Sequence, residues 1–248
     1  MLSIIRTYRK LFCRKGFGVH SPFVFELITR VIEETCEYYA YYDISLVRLQ
    51  ILQNERIIKY RKKRITVKKA LRQYGLSAKE GNFLFRLTNY LKPRTILSVG
   101  SSMGLAPLYL SRYDSKVRCI TLECEQDLAE ITGQFLRKEK NPALEIKTGA
   151  YEKLLPDSIG KLQHIDCVFI GKDVSVCDWD TVFEQCLPFV SETSFFVLAG
   201  IRSSTEKQQY WMQFRQHVSI TVAVDLFDIG LLFFHPKLRK RVYKTILV

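Results

Sequence analysis

A glycine-bracketed turn, a carboxylate about twenty residues beyond it and a few strand-end charges are the parts of this 248-residue chain whose types and spacing suit chemistry. The turn is Gly100-Ser101-Ser102-Met103-Gly104. Its GxxxG spacing is not the GxGxxG of a dinucleotide site, which argues against NAD or FAD. Glycines at both ends allow a tight turn and close backbone approach to a ligand, with a helix N-terminus beyond; a plain strand-to-helix connection explains them equally. Glu123 closes the run CITLE, where a carboxylate can accept hydrogen bonds from both hydroxyls of a ribose or simply be solvated. Lys172 and Asp173 follow a later apolar run and are placed to orient or deprotonate an acceptor. Arg202 is placed to hold an anionic substrate, and His20 lies in a leader that can fold over a pocket mouth. The alternatives are solvated loop charges and a structural histidine. The seven cysteines include no CxxC pair and no zinc-ligand spacing with the four histidines, so they read as small buried thiols.

The elements that must position these residues alternate from residue 93 onward. Thr95 to Gly100, Val117 to Glu123, Leu144 to Thr148, Ile165 to Ile170 and Ser194 to Ala199 read as strands. Helical stretches near 105–112, 127–138, 151–159, 181–187 and 206–217 separate or follow them. That rhythm predicts right-handed crossovers and a parallel sheet covered on both faces. Ser219 to Leu226 and Gly230 to His235 are separated by too few residues for a crossover, so they predict a closing hairpin. The KLRKRVYK tail beyond reads as a basic, exposed end. The expected fold is α/β: a Rossmann-like, doubly wound, mainly parallel seven-stranded sheet with a C-terminal antiparallel hairpin strand. A basic helical N-terminal extension over 1–80 precedes an α/β domain over 81–248. In the leader, Ser21-Pro22 marks a helix start, and Tyr38, Tyr39, Tyr41 and Tyr42 read as packing onto the sheet domain or as a lid or substrate wall.

Charge is uneven. Residues 1–80 carry 17 Lys+Arg against 7 Asp+Glu, and residues 81–248 carry 21 against 18, so most of the net +13 lies in the front. The run 56–72 is dense in Lys and Arg and could bind a phosphate-rich partner such as nucleic acid, or be a solvated helix face or linker. No RNP, KH or helix-turn-helix signature accompanies it. The 47% apolar and 25% charged content excludes fibrous and wholly disordered classes. No apolar stretch reaches the roughly 18–20 residues of a membrane span, and Arg6, Arg9 and Lys10 interrupt any secretory signal, so the expectation is a cytoplasmic protein. Membrane-surface attachment through Met1 to Phe12 remains an alternative. Oligomeric state has no sequence signal.

With these residues in place, the chain from about Phe83 onward resembles class I S-adenosylmethionine-dependent methyltransferases, in particular small O-methyltransferase-like bacterial members. ILSVGSSMGLAPLYL is similar to their first motif, CITLE to their second, IKTGAYEKLLP to their third and IDCVFIGKD to their fourth. LFDIGLLFFH is similar to their terminal hairpin, and GFGVHSPF to the leader of a subgroup. The resemblance implies S-adenosylmethionine as cofactor, held by Gly100, Ser101, Ser102, Gly104, Glu123, Ala150 and Tyr151, and a small-molecule acceptor. Departures are systematic. Ser98, Ala150 and Gly171 stand where the family usually has acids, and Ala199-Gly200 replace the acidic pair of metal-dependent relatives. Each lost bond to a charged group is worth roughly 1.5–3 kcal/mol, so two losses weaken cofactor binding by some two to four powers of ten. Side chains without oxygens at 171, 199 and 200 remove the ligands of a hard cation, so no metal site is expected. A catalytically silent binding or scaffold protein is the competing expectation.

Overall fold

The computed structural model describes residues 2–138 and 143–247. The leader begins with α1 (Leu2–Phe12) and α2 (Pro22–Leu27), the latter running on as a π-helical turn Ile28–Ile32. Ser21 caps α2 by accepting from the Val24 amide, with Pro22 at the first helical position where no N–H is needed. Then come α3 (Tyr39–Gln53), β1 (Ile57–Tyr60), β2 (Lys63–Thr66) and α4 (Val67–Tyr74). Helix α5 (Ala78–Leu91) starts on a full capping box, Ser77 with Glu80, and delivers the chain into the sheet.

The sheet domain runs β3 (Thr95–Val99), α6 (Leu105–Ser111), β4 (Arg118–Glu123), α7 (Gln126–Lys138), β5 (Leu144–Thr148) and α8 (Tyr151–Leu162). It continues with β6 (Cys167–Ile170), α9 (Val176–Cys186), β7 (Phe195–Ala199) and α10 (Thr205–Phe214). It closes with β8 (Val222–Asp225), β9 (Ile229–Phe233) and β10 (Arg241–Lys244). Strand order is β10-β8-β9-β7-β6-β3-β4-β5, with β9 antiparallel to both neighbours and every other pairing parallel. The doubly wound fold and its terminal hairpin are as expected. The strand count is eight rather than seven, because the tail read as an exposed end supplies β10. Within Arg241–Lys244, Tyr243 is buried and Val242 half-buried while Arg241 and Lys244 are exposed, and the segment pairs with the open edge of β8.

Central strands are apolar on both faces because helices cover both. One apolar cluster joins α6 and α7 to β3 and β4 and also takes in Val24, Leu27 and Ile28 of the leader. The other joins α8, α9 and α10 to β6 and β7. The leader also departs from the helical expectation. Within the basic run, β1 and β2 form an antiparallel hairpin with Tyr60 opposite Lys63. Its two-residue turn puts Arg61 and Lys62 at φ +48° and +64°.

Candidate functional site

The carboxyl ends of β3, β4 and β6 meet at one point, the place where a doubly wound sheet takes its ligands. The turn after β3 is strained: Gly100 and Gly104 have φ of +82° and +88°, and the non-glycine residues Ser102 and Met103 have +48° and +59°. Strain of that kind persists only where surroundings hold it, and it concentrates at functional sites. Here the restraint comes from two carboxylates. Glu123 Oε2 accepts from the Ser101 amide (3.1 Å) and the Ser101 hydroxyl (2.7 Å), and its Oε1 accepts from the Glu125 amide (3.2 Å). Thr132 donates to the Ser101 hydroxyl, completing the chain of bonds. From the other side, Asp173 Oδ2 accepts from the Ser102 amide at 3.0 Å.

Asp173 also accounts for two glycines. A Cβ on Gly100 would lie 2.5 Å from Asp173 Oδ1, and one on Gly171 would collide with the same oxygen. The carboxylate expected at 171 from the family resemblance is therefore displaced two residues along the chain, and Gly171 leaves room for it. Ser98 is buried with its hydroxyl on the Gly100 carbonyl.

A lid covers the arrangement. The Tyr60 hydroxyl (3.3 Å) and the Arg61 guanidinium (2.6 Å) donate to the Asp173 carbonyl. The Lys59 amide bonds Asp127, the Arg61 amide bonds Glu125, and Arg56 pairs with Glu130 at 3.0 Å. Of the basic residues read from the sequence as a face for phosphate-rich partners, Arg56 is thus paired with an acid of α7, while Lys59 and Arg61 meet Asp127 and Glu125 through their backbone amides. Lys207 approaches from α10: it is buried, lies over the Trp179 ring and donates to the Lys172 carbonyl.

Electrostatics follow burial. Desolvation, reinforced by the Asp173 charge, lifts the Glu123 carboxyl from 4.5 to about 7, against the bonds from Ser101 and Glu125. Burial likewise raises Asp173. Burial lowers Lys207 to about 8, with Asp173 opposing the shift. Burial also drives the Tyr151 phenol well above its ordinary value.

Two buried polar atoms at this point, Ser102 Oγ and Asp173 Oδ1, have no hydrogen-bond partner among the described residues. A buried polar atom left unmatched costs about 1–3 kcal/mol, so such atoms mark either stored strain or a missing ligand. Glu123 Oε1, which carries a single bond, also has lone-pair capacity to spare. This donor and acceptor set fits the polar edge of a nucleoside. The space is another matter, because the Asp173 carboxylate lies over Gly100 and the whole turn is buried. A bound nucleoside would have to move Asp173 and the hairpin.

The other expected residues are distributed as follows. Gly100, Ser101, Ser102, Gly104, Glu123 and Asp173 come together, and buried Tyr151 faces Cys124 and the two carboxylates. Ala150 is exposed at the start of α8. Lys172 points to Glu80 of the α5 capping box (2.6 Å). Arg202 is not brought to the turn: it forks onto Asp225 at 2.9 and 2.6 Å and also reaches the Phe227 carbonyl. His20 is exposed and makes no hydrogen bond among the described residues. Neither Arg202 nor His20 stands where it would touch a substrate at the turn. Tyr60, Arg61 and Lys207 have no counterpart in the sequence reading; nothing about a lysine in the first turn of a helix distinguishes it from a solvated one. Of the tyrosine cluster, Tyr41 is buried against Phe85, while Tyr39 and Tyr42 are exposed. With Tyr38 and Tyr109 they line a cavity of about 920 Å³ beside Ala78 and Asn82, on the helix that carries Glu80.

Strand order, the strained turn after the first parallel strand and an acid closing the second define a Rossmann-like, doubly wound α/β fold of the kind solved methyltransferases have. Solved structures agree. An O-methyltransferase from Bacillus cereus in complex with SAH is 16% identical, with a TM-score of 0.59 over 92% of this chain and 99% of that one. TomG, an O-methyltransferase from Streptomyces achromogenes involved in tomaymycin synthesis and solved with SAM, is 16% identical, at 0.59 over 82% and 92%. A methyltransferase from Geobacter sulfurreducens is 13% identical, at 0.57 over 82% and 91%. No protein-family model and no curated protein matches the chain. Among the described residues, no three His, Cys, Asp or Glu side chains are grouped to hold a metal, and no helix is long and apolar enough to cross a membrane.

Proposed function

We propose that the chain is an S-adenosylmethionine-dependent methyltransferase with a small-molecule acceptor, seen with its cofactor crevice closed by the β1–β2 hairpin. The observation that carries this reading is the pair of orphaned buried atoms, Ser102 Oγ and Asp173 Oδ1, at a strained turn. In this reading the turn amides and Glu123 hold the nucleoside. Tyr151 packs beside it, and the hairpin excludes water. Bound S-adenosylmethionine supplies a methyl group on a sulfonium, open to in-line attack, so the protein's task is mainly positioning. Asp173, its pKa raised by burial, is suited to hold a proton lost by the acceptor. Lys172 anchors the strand end to α5, next to the tyrosine-lined cavity that suits an acceptor. The absence of side-chain oxygens at Gly171, Ala199 and Gly200 supports metal-independent transfer.

A second reading has one specific observation in its favour. The Asp173 carboxylate fills the approach to Gly100, as expected of a silent relative that has replaced its cofactor with its own side chain. Calorimetric titration of the full chain with S-adenosylmethionine decides between them. Saturable binding supports the transferase. Absence of heat at millimolar ligand, both for the parent and for Asp173→Ala with the obstruction removed, leaves the silent reading.

A further inference from the structure

Helix α1 is turned inside out. In an amphipathic helix on a globular protein the apolar stripe faces the core. Here the buried residue is Arg9, 4% exposed, which donates to the Asp225 carboxylate (2.7 Å) and to the Asp225 and Thr245 carbonyls. Ile4, Tyr8 and Leu11, spaced i, i+4, i+7, share an outward stripe with Phe12 beside it, and Phe17 in the following turn is 87% exposed. The Arg9–Asp225 bond fixes this orientation, so the stripe is presented rather than left over.

The surroundings of the stripe are cationic. The first acidic residue of the chain is Glu26, and five Arg and Lys precede it. Arg9 is buried, Arg14 meets Glu33 at 3.4 Å, and Arg6 lies 3.6 Å from Asp228. Lys10 and Lys15 are exposed, and with Tyr8, Leu11, Phe12 and Phe17 they line a concavity of about 680 Å³. Lys79 faces the same group; its ammonium is lowered by burial and then by the charges of Lys10, Arg6 and Arg14. Aromatic and aliphatic side chains projecting among uncompensated cations match one environment, the boundary between acyl chains and anionic headgroups. A second copy of this chain matches poorly, since self-pairing would set Lys10 and Lys15 against their own equivalents.

We propose that α1 and the turn after it form a peripheral docking element for an anionic lipid bilayer, with Leu11, Phe12 and Phe17 entering the interface and Lys10 and Lys15 at the headgroups. This goes beyond the transferase reading and does not depend on it. The test is co-sedimentation of the full chain with phosphatidylcholine vesicles, with and without about one-third phosphatidylglycerol, read against salt. Binding is expected only to the anionic vesicles. Lys10→Gln with Lys15→Gln should weaken it about tenfold or more, and Leu11→Glu with Phe12→Glu should abolish it. All four side chains are exposed, and unchanged thermal melts of the variants confirm that folding is intact. Equal binding to neutral vesicles, or no binding, overturns the proposal. So does concentration-dependent self-association without vesicles that Leu11→Glu with Phe12→Glu removes, which would make the stripe an interface between copies.

Discussion

Two buried acidic sites lie at the same end of the sheet and are treated in opposite ways. At Asp225 burial pushes the carboxyl up, but hydrogen bonds from Arg202 and Arg9 outweigh it and hold the group down at about 2. Each oxygen meets a guanidinium, and Arg9, Arg202 and Arg6 all lie over the Phe227 ring. Glu123 and Asp173 are also buried, and neither has a guanidinium or ammonium at bonding distance among the described residues. Their carboxyls are raised, and one Asp173 oxygen is orphaned. The first site fastens the leader and the loop after β7 to the sheet. The second stores unfavourable electrostatics at a strained turn, the signature of a site kept for a ligand.

Breaking the first site should produce the largest effect. Arg202→Ala leaves Asp225 with half its compensation in a dry environment, at an expected cost of about 3–5 kcal/mol in denaturant unfolding. Arg202→Lys should recover little, because a single ammonium cannot reproduce the forked contact. A loss below about 1 kcal/mol would mean that Asp225 is solvated and that the contrast between the sites is false.

The pH dependence of stability separates the sites by sign. Glu123 keeps its proton in the fold up to about pH 7, while the unfolded chain loses it near 4.5. In that window the folded state binds more protons, so stability falls as pH rises from about 4.5 to about 7. Asp225 runs the other way: its contribution is present above the unfolded value of 3.8 and is lost as pH falls toward about 2. Glu123→Gln should flatten the upper window by about 1–3 kcal/mol and leave the acid limb unchanged. A slope of the same sign that survives the substitution would belong to Asp173, whose carboxyl burial also raises, and Asp173→Asn in the same background should then remove it.

The latch over the second site should respond more weakly. Arg61→Asn keeps a side chain that tolerates positive φ but deletes the guanidinium bonded to the Asp173 carbonyl. Stability should change by about 1 kcal/mol or less. Stopped-flow association of S-adenosylmethionine should accelerate if the hairpin gates the crevice. An unchanged association rate with intact binding would show that ligand enters without the hairpin moving.

That hairpin also marks where sequence reading runs out. Strands β3, β4, β6 and β7 are short, largely apolar runs, three of them followed directly by a glycine (Gly100, Gly171 and Gly200), and such runs read as buried parallel strands. Gly100 and Glu123 could be located because fold topology dictates where a ligand-facing turn and acid must stand. The hairpin β1–β2 carried no such mark. Its turn is Arg61-Lys62 rather than Asn-Gly, and Arg61 is held at positive φ by bonds to Glu125 and to the Asp173 carbonyl. Asp173 reads as a loop acid after the fourth strand, but its return to fill the space beside Gly171 is a backbone path that spacing does not encode. Arg202 reads as a substrate-holding loop charge because its buried partner 23 residues away, Asp225, looks like any other aspartate in sequence.

The smallest effect is expected at the hairpin tip, where Lys62, Lys63 and Arg64 are exposed and their side chains form no hydrogen bond or ion pair among the described residues. Changing all three to Gln should alter stability by about 0.5 kcal/mol or less. The run 56–72 is informative here because its charges divide. Arg56 is paired with Glu130 and Lys68 with Glu55, while Lys59 and Arg61 meet Asp127 and Glu125 through their backbone amides, so the tip and the exposed Lys59, Lys69 and Arg72 side chains remain for a phosphate-bearing partner. Three tip cations would give a salt slope of roughly 2–3 on single-stranded RNA, a non-specific contact at most. The expected result is RNA affinity, measured by fluorescence anisotropy at low salt, that is unchanged in the triple variant, leaving the hairpin as a cover for the site. A fall in both affinity and salt slope would reverse that assignment, making the basic run a nucleic-acid contact.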